Sequence, residues 1–164
     1  MLETKAAYTL SDFQLLEQLA ETIWREHYTP IIGEPQVDYM LAKFNTVKAI
    51  ESQIKEGSQF YYMLYKSIPA GYMSFKEEGD YMFLSKFYVK KEFRGKKIGK
   101  ASLKFIMDEA KRLGLKSIYL NVNKFNTASI SAYEKLGFIK TKAMVTDIGN
   151  GFVMDDYEMK KDLN

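Results

Sequence analysis

The sequence contains no cysteine and a single histidine, His27. The missing thiols exclude disulfides, thiolate metal sites and a cysteine nucleophile. One histidine also argues against a transition-metal site built by the protein. We therefore expect a protein that holds no metal, and its composition fits a reducing, cytoplasmic environment.

The chain also lacks segments that direct proteins to membranes. Residues 1–10 contain neither a basic leader nor a long apolar core, and no apolar run is long enough to cross a bilayer. No internal repeat, low-complexity tract or linker interrupts the chain. We expect one domain over residues 1–164, with no signal peptide and no membrane partner.

Positive charge is weak overall but concentrated locally. The net charge is only +3 and acidic residues are spread along the chain, which argues against a nucleic-acid partner. Eight basic residues nevertheless cluster around one turn, namely Lys86, Lys90, Lys91, Arg94, Lys96, Lys97, Lys100 and Lys104. This clustering favours an anionic ligand, and a solvated basic face is the alternative.

The first third of the chain predicts one short strand and three helices, over residues 6–9, 11–27, 35–44 and 46–57. Ser11 and Gln14 have the spacing of a capping box for the first helix, and Thr46 can cap the third. The segment from Tyr28 to Glu34 reads as a loop. His27 would then stand at a helix end, where it either packs or acts as a base.

From Gln59 onward the apolar pattern changes to the period of two that is typical of strands. The predicted strands cover residues 59–65, 70–76, 81–90, 117–123, 138–146 and 152–160. Helices are predicted from Ile98 to about Leu113 and from Asn126 to Leu136. Because the first of these helices is a crossover, the strands on either side of it should pair in parallel. This mixed order predicts an α/β sandwich around one mixed sheet.

The most specific stretch is a turn between a strand and a helix, which we call the basic turn and define as residues Arg94–Gly99. Its glycines allow backbone N–H groups to point inward, and the helix that follows adds the partial positive charge of its first turn. These features suit a phosphate or pyrophosphate group.

Two signatures carry a resemblance to a known family. Arg94-Gly95-Lys96-Lys97-Ile98-Gly99 resembles the R/Q-x-x-G-x-G/A signature of the GCN5-related N-acetyltransferase (GNAT) family, with Lys97 in place of the first signature glycine. The segment from Asn126 through Ala128, Tyr133, Lys135 and Gly137 to Phe138 resembles the family's N-x-x-A-x-x-x-Y-x-K-x-G-F ending, with the alanine one place earlier. The resemblance spans about Gln59 to Met159.

The resemblance implies a single-domain α/β (α+β) sandwich, with a mixed, mostly antiparallel sheet of about seven strands flanked by about four helices. The acetyl-CoA half would cover about residues 81–138. It implies an N-acetyltransferase that moves the acetyl group of acetyl-CoA to a primary amine of a small molecule or peptide, by direct attack in a ternary complex. A catalytically weak CoA-binding module is the alternative, and a homodimer stays open.

The resemblance also assigns roles to individual residues. Tyr133 matches the general acid that would protonate the CoA thiolate. The backbone of the strand predicted over residues 81–90 would pair with the pantetheine arm. Asn126 would bond to that arm or cap its helix. Lys97 fits the phosphate site only if its position needs neither a positive φ nor a contact free of side chain. The expected cofactor-binding residues are Phe87, Tyr88, Val89, Arg94, Gly95, Lys96, Lys97, Ile98, Gly99, Lys100 and Asn126.

A general base is not identified by these patterns. Ser85 stands near the place where family members often carry a glutamate, and a serine cannot remove an ammonium proton by itself. Two alternatives are that the proton leaves through water to Ser85, or that the enzyme uses the small fraction of amine that is already neutral. The third is a base from the helical region, where the candidates are Glu26, His27, Glu34 and Asp38.

Overall fold

A computed structural model describes residues 1–163, and in this range the chain forms seven strands and six α-helices. The strands are β1 Leu2–Ala6, β2 Gln59–Tyr65, β3 Ile68–Glu78, β4 Tyr81–Val89, β5 Ser117–Asn123, β6 Ile139–Gly149 and β7 Phe152–Asp162. The helices are α1 Leu10–His27, α2 Thr29–Ile32, α3 Glu34–Phe44, α4 Val47–Lys55, α5 Ile98–Arg112 and α6 Thr127–Lys135. The mixed α/β fold is confirmed, with six helices where about four were expected.

The strands form one sheet in the order β1-β2-β3-β4-β5-β7-β6. β1 with β2, β2 with β3, β5 with β7 and β6 with β7 pair antiparallel. β4 and β5 pair in parallel, in a register that runs from Tyr81↔Ser117 to Leu84↔Leu120. The parallel pair predicted from the crossover helix is therefore confirmed, and the sheet is mixed.

By its internal contacts the chain divides into two compact units. The first contains residues 1–76 and 86–103, and the second contains residues 77–85 together with the chain from 104 onward. In the first unit, the buried indole of Trp24 donates to the hydroxyl of Tyr72 at 3.0 Å, and this hydroxyl donates to the Asn45 side chain at 3.3 Å. A buried polar chain thus ties α1 and the end of α3 to β3, with its hydrogen bonds satisfied.

In the second unit, alternate residues of the paired strands build the core. Met82, Leu84, Ile118 and Leu120 are at most 3% exposed, as expected for one face of a sheet that packs inward. The residues between them, such as Tyr119, are half-buried and face the opposite side of the sheet. The second unit therefore has one apolar face and one face that reaches solvent.

The start of α1 differs from the prediction. The helix begins at Leu10 and Thr9 caps it: the Thr9 hydroxyl accepts from the Asp12 N–H at 3.2 Å, and the Asp12 carboxylate accepts from the Thr9 N–H at 3.0 Å. The capping box predicted at Ser11 and Gln14 is therefore wrong. Thr46 and Asn126 cap α4 and α6 as predicted.

Two further boundaries in the first unit are corrected. β1 covers Leu2–Ala6, because its residues pair with β2 from Leu2↔Tyr65 to Ala6↔Tyr61, whereas a strand over residues 6–9 was predicted. The predicted loop from Tyr28 to Glu34 contains the short helix α2, with Pro30 near its N-terminus. Proline is favoured there because its missing N–H would have no partner in the first helical turn. Among residues 1–163, no helix is long and apolar enough to span a membrane.

Candidate active site

The basic turn connects the end of β4 to α5. A single 3₁₀ turn, Lys91–Phe93, precedes it, and the backbone then reverses through Gly95, whose φ is +79°. The Ala101 N–H donates to the Lys97 carbonyl at 3.1 Å, so Lys97 is the residue that caps α5. The N–H groups of residues 97–100 consequently have no acceptor within the helix, which makes this end of α5 suitable for an anion.

Space is available beside the turn. A Cβ atom built on Gly99 would meet no heavy atom within 4 Å, and the same holds for Gly95. The packing of the protein therefore does not require a glycine at position 99. The open side of Gly99 instead allows a ligand to approach the backbone closely, as a pyrophosphate bound to N–H groups must do.

The backbone at Lys97 adopts a positive φ, although a lysine was expected to fit this position only if no positive φ was needed. Its φ is +64°, in the left-handed region that disfavours side chains with a Cβ. The signature glycine that Lys97 replaces would adopt this φ without strain. The lysine is therefore a strained residue within the turn.

We expect Lys97→Gly to stabilise the protein by about 1 kcal/mol, because the substitution removes this strain. Acetyl-CoA affinity should be at least as high in the variant. Thermal denaturation and calorimetric titration check the two statements. The matched control is Gly95→Ala, which places a Cβ at φ +79° and should lower stability by about 1 kcal/mol. A large loss of acetyl-CoA affinity in Lys97→Gly would show instead that the lysine charge holds the ligand.

The Arg94 side chain bonds within the first unit. Its Nε donates to the Val89 carbonyl at 3.3 Å, and its Nη2 lies 3.4 Å from His27 Nδ1. The His27 ring packs edge-on against Tyr28, with 4.8 Å between the ring centroids. Arg94 thus links the end of α1 to the end of β4, and the His27 ring packs at the end of α1.

The end of β4 is supported from two sides. The Tyr88 ring contacts the rings of Trp24, Tyr28 and Tyr72, with centroid distances of 5.5, 5.8 and 5.6 Å. The Lys90 N–H donates to the Ala70 carbonyl at 2.7 Å. Phe87, Tyr88 and Val89 are half-buried, so this segment is rigidly held beside the basic turn in the first unit.

Asn126 and Tyr133 lie on α6 in the second unit. Asn126 is 4% exposed, and its Oδ1 accepts from the Ser129 N–H at 3.4 Å, which confirms the predicted cap. Tyr133 is half-buried and its ring packs edge-on against Phe138, with 5.5 Å between centroids. Of the predicted site residues, the structure brings together those of β4 and the basic turn in one unit, and those of α6 in the other.

The candidate bases differ in their surroundings. Asp38 pairs with Arg25 at 2.8 Å, and Arg25 also bonds to Glu21. These three side chains line a cavity of about 750 Å³ that α1, α3 and the start of α4 border. Glu26, Glu34 and Ser85 are exposed. Asp38 therefore already serves as a counter-ion of Arg25.

The burial of two charged groups was not predicted, and one of them, Lys86, was expected in the basic cluster around the turn. Asp156 on β7 is 4% exposed, and burial, with the nearby Asp155 charge, raises its pKa to about 6 against the opposing effect of Lys124. Lys86 on β4 is 7% exposed, and its ammonium donates to the Phe44 carbonyl and to Gln53 Oε1, both at 2.8 Å. The only available signal for Lys86 was its place between apolar residues at the period of two.

Burial lowers the pKa of Lys86 to about 7 from the ordinary value of 10.5. Between these values the unfolded chain binds a proton that the folded protein does not, so the free energy of unfolding should rise with pH above 7, by up to about 1.4 kcal/mol per pH unit. Below pH 7 both states are protonated and this slope disappears. Urea denaturation at pH 7, 8 and 9 measures the effect.

The rise of the free energy of unfolding with pH should vanish in Lys86→Met. It should persist in Lys91→Met, which removes an exposed lysine. An equal pH slope in the wild type and Lys86→Met would contradict the assignment.

Comparison with known proteins adds an independent finding. Residues 16–138 match the acetyltransferase (GNAT) family. A spermidine N(1)-acetyltransferase from Thermoplasma acidophilum is 26% identical over 152 residues, which cover 90% of this chain and 92% of that protein.

Solved structures show the same fold. The PaiA N-acetyltransferase from Thermoplasma acidophilum in complex with coenzyme A superposes with a TM-score of 0.80 at 24% identity, covering 99% of both chains. The ribosomal-protein-S18-alanine N-acetyltransferase from Escherichia coli superposes with a TM-score of 0.75 at 17% identity, covering 100% of this chain and 95% of that one.

Proposed function

Because the chain belongs to the acetyltransferase (GNAT) family, we propose that it acetylates a primary amine of a small molecule or a peptide by direct attack within a ternary complex. Family membership makes the protein an N-acetyltransferase that uses acetyl-CoA. Its relatives include enzymes named for spermidine and for an alanine of ribosomal protein S18, so both acceptor classes occur among them. We also propose that residues 1–164 function as one acetyltransferase domain.

The observation that carries the proposal is the open backbone of the basic turn. The N–H groups that precede the first hydrogen bond of α5 face no acceptor in that helix, and Gly99 leaves room for close approach. Lys96 and Lys100 add positive charge and are exposed. These residues fit the pyrophosphate of acetyl-CoA, which needs backbone donors and compensating charge.

In this proposal the backbone of Phe87, Tyr88 and Val89 binds the pantetheine arm in the way an added strand would. One of these N–H groups donates to the carbonyl oxygen of the acetyl group, on which negative charge grows during attack. A donor held in place by a rigid strand stabilises that charge without reorganising. The cluster of rings around Tyr88 supplies the rigidity.

The thioester of acetyl-CoA supplies an activated acetyl group. No cysteine is present to carry this group on the chain, which supports direct transfer to the amine. Tyr133 is proposed to protonate the departing thiolate, since its position in the second signature matches that of the family's usual general acid. Asn126 caps α6 and thereby holds the helix that carries Tyr133.

The proposal is tested by measuring binding and turnover separately. Native mass spectrometry of the protein with acetyl-CoA should show a one-to-one complex. A thiol-release assay over a panel of amines should then show turnover with at least one primary amine. Binding without turnover on any amine would favour the CoA-binding module, and absence of binding would refute the proposal.

Tyr133→Phe should lower kcat by about 100-fold or more and leave acetyl-CoA affinity nearly unchanged, because the ring keeps its contact with Phe138 while the proton donor is lost. Tyr157→Phe, which removes the hydroxyl of another half-buried tyrosine, is the matched control and should keep full activity. Full activity of Tyr133→Phe would remove the general-acid role.

A further inference from the structure

A second cavity lies on the solvent-facing side of the sheet in the second unit. It has a volume of about 290 Å³ and is lined by Tyr81, Phe83, Tyr119, Asn121 and Glu158. The register pairs Phe83 with Tyr119 and Asn121 with Glu158, so β4, β5 and β7 contribute neighbouring side chains to one face. None of these residues has a role in the proposed chemistry.

Aromatic rings form much of the wall of this cavity. The rings of Tyr81 and Tyr119 meet edge to face, with 4.7 Å between their centroids. The ammonium of Lys160 lies 5.5 Å from the centroid of the Tyr119 ring, which is the distance of a cation–π contact. The Tyr119 ring thus already has one ammonium on its face, while the rings of Tyr81 and Phe83 offer apolar surface to an alkyl chain.

Glu158 provides a negative charge with unused acceptor capacity. One carboxylate oxygen, Oε1, accepts from the Thr141 hydroxyl at 2.8 Å. The other, Oε2, lies 3.8 Å from the Lys142 ammonium, which is too far for a hydrogen bond. The Lys142 side chain is 60% exposed while that of Glu158 is 22% exposed, so a ligand can displace the lysine at little cost.

We propose that this cavity binds an alkylammonium group of the acceptor, so that the acceptor is a diamine or polyamine. Glu158 is the counter-ion, the rings of Tyr81, Phe83 and Tyr119 surround the carbon chain, and the Asn121 side-chain oxygen accepts a further hydrogen bond. This assignment rests on the proposed acetyltransferase function.

The position of the cavity suits this role. Ser85 follows Phe83 on the same face of β4, about 7 Å farther along the strand. Ser85 stands two residues before Phe87 on the same strand, where the segment proposed to bind the pantetheine arm begins. A second ammonium bound in the cavity would therefore lie one short alkyl chain from the reacting amine.

The test compares 1,4-diaminobutane with butylamine, which has the same carbon chain and lacks the second charge. Glu158→Gln keeps an acceptor for Thr141 and removes the negative charge. This variant should weaken binding of the diamine to the protein without acetyl-CoA by about tenfold or more. It should raise the KM of the diamine with little change in kcat, and it should leave the kinetics of butylamine unchanged.

Lys142→Gln is the opposite control, because it removes the cation that competes for Glu158 from an exposed site. The diamine should bind more tightly to this variant than to the wild type. Unchanged diamine binding in both variants would overturn the proposal, and so would an equal loss for both amines in Glu158→Gln.

The titration without acetyl-CoA separates this inference from the proposed function. If the diamine binds in a Glu158-dependent manner and no amine is acetylated, the cation site stands and its role as an acceptor subsite fails together with the proposed function. If amines are acetylated and binding of the diamine does not depend on Glu158, the proposed ammonium site in this cavity fails and the proposed function stands.

Discussion

Gly99→Glu should abolish acetyl-CoA binding, with a loss of at least about 100-fold in affinity, and leave the stability of the protein nearly unchanged. A Cβ atom built at this position meets no heavy atom within 4 Å, so a side chain can leave the backbone there without a clash. The same side chain occupies the space beside the open N–H groups of α5 and brings a negative charge to them. Both its volume and its charge exclude a pyrophosphate.

Isothermal titration with acetyl-CoA and thermal denaturation measure the two effects. Gly99→Gln has the same volume as Gly99→Glu without the charge, so the difference between the two variants gives the electrostatic part of the loss. We expect the glutamine variant to bind more weakly than the wild type and more tightly than the glutamate variant. Wild-type affinity in Gly99→Glu would show that the phosphates do not bind at the basic turn.

Gly71→Ala is expected to cause the largest loss of stability, about 3 kcal/mol or more. A Cβ built on Gly71 would lie 2.3 Å from the Tyr88 carbonyl oxygen and 3.1 Å from the Val89 Cα. Both atoms belong to the backbone of β4, which cannot move aside as a flexible side chain could. The substitution must therefore displace the end of β4 or the adjoining part of β3.

The melting temperature should fall by roughly 6–12 °C for a chain of this size. The displaced backbone is also the segment proposed to bind the pantetheine arm, so the folded fraction should bind acetyl-CoA more weakly. Gly99→Ala is the control for stability, since its Cβ has open space and its melting temperature should change little. Equal melting temperatures for Gly71→Ala and the wild type would contradict the close contact.

The helix caps show how far local sequence predicts local structure. Thr46 and Asn126 were predicted as caps, and both act as caps. At the start of α1 the sequence prediction selected Ser11 and Gln14, whereas Thr9 and Asp12 form the capping box. The Tyr62 hydroxyl of β2 donates to Asp12 Oδ1 at 3.2 Å, and this distant contact favours the pair that the sequence did not select.

Strand boundaries were likewise predicted correctly where neighbouring residues set them and wrongly where distant contacts set them. β2 was predicted without error because its alternation is internal to the segment. β1 was misplaced by several residues, because its bounds depend on pairing with β2, more than fifty residues away in the chain. The parallel pairing of β4 with β5 was predictable, since a crossover helix between two strands leaves little choice of direction.

The sequence by itself determined the family, through the basic turn and the Asn126 to Phe138 ending. It also determined the mixed α/β architecture, because turn residues, caps and apolar periods act over a few neighbouring positions. Only the tertiary structure decided that Lys97 adopts a positive φ, that Lys86 and Asp156 are buried, and that Glu158 shares a cavity with Tyr81 and Tyr119. These properties arise from strand register and packing between residues far apart in the chain, and register is set by the whole sheet.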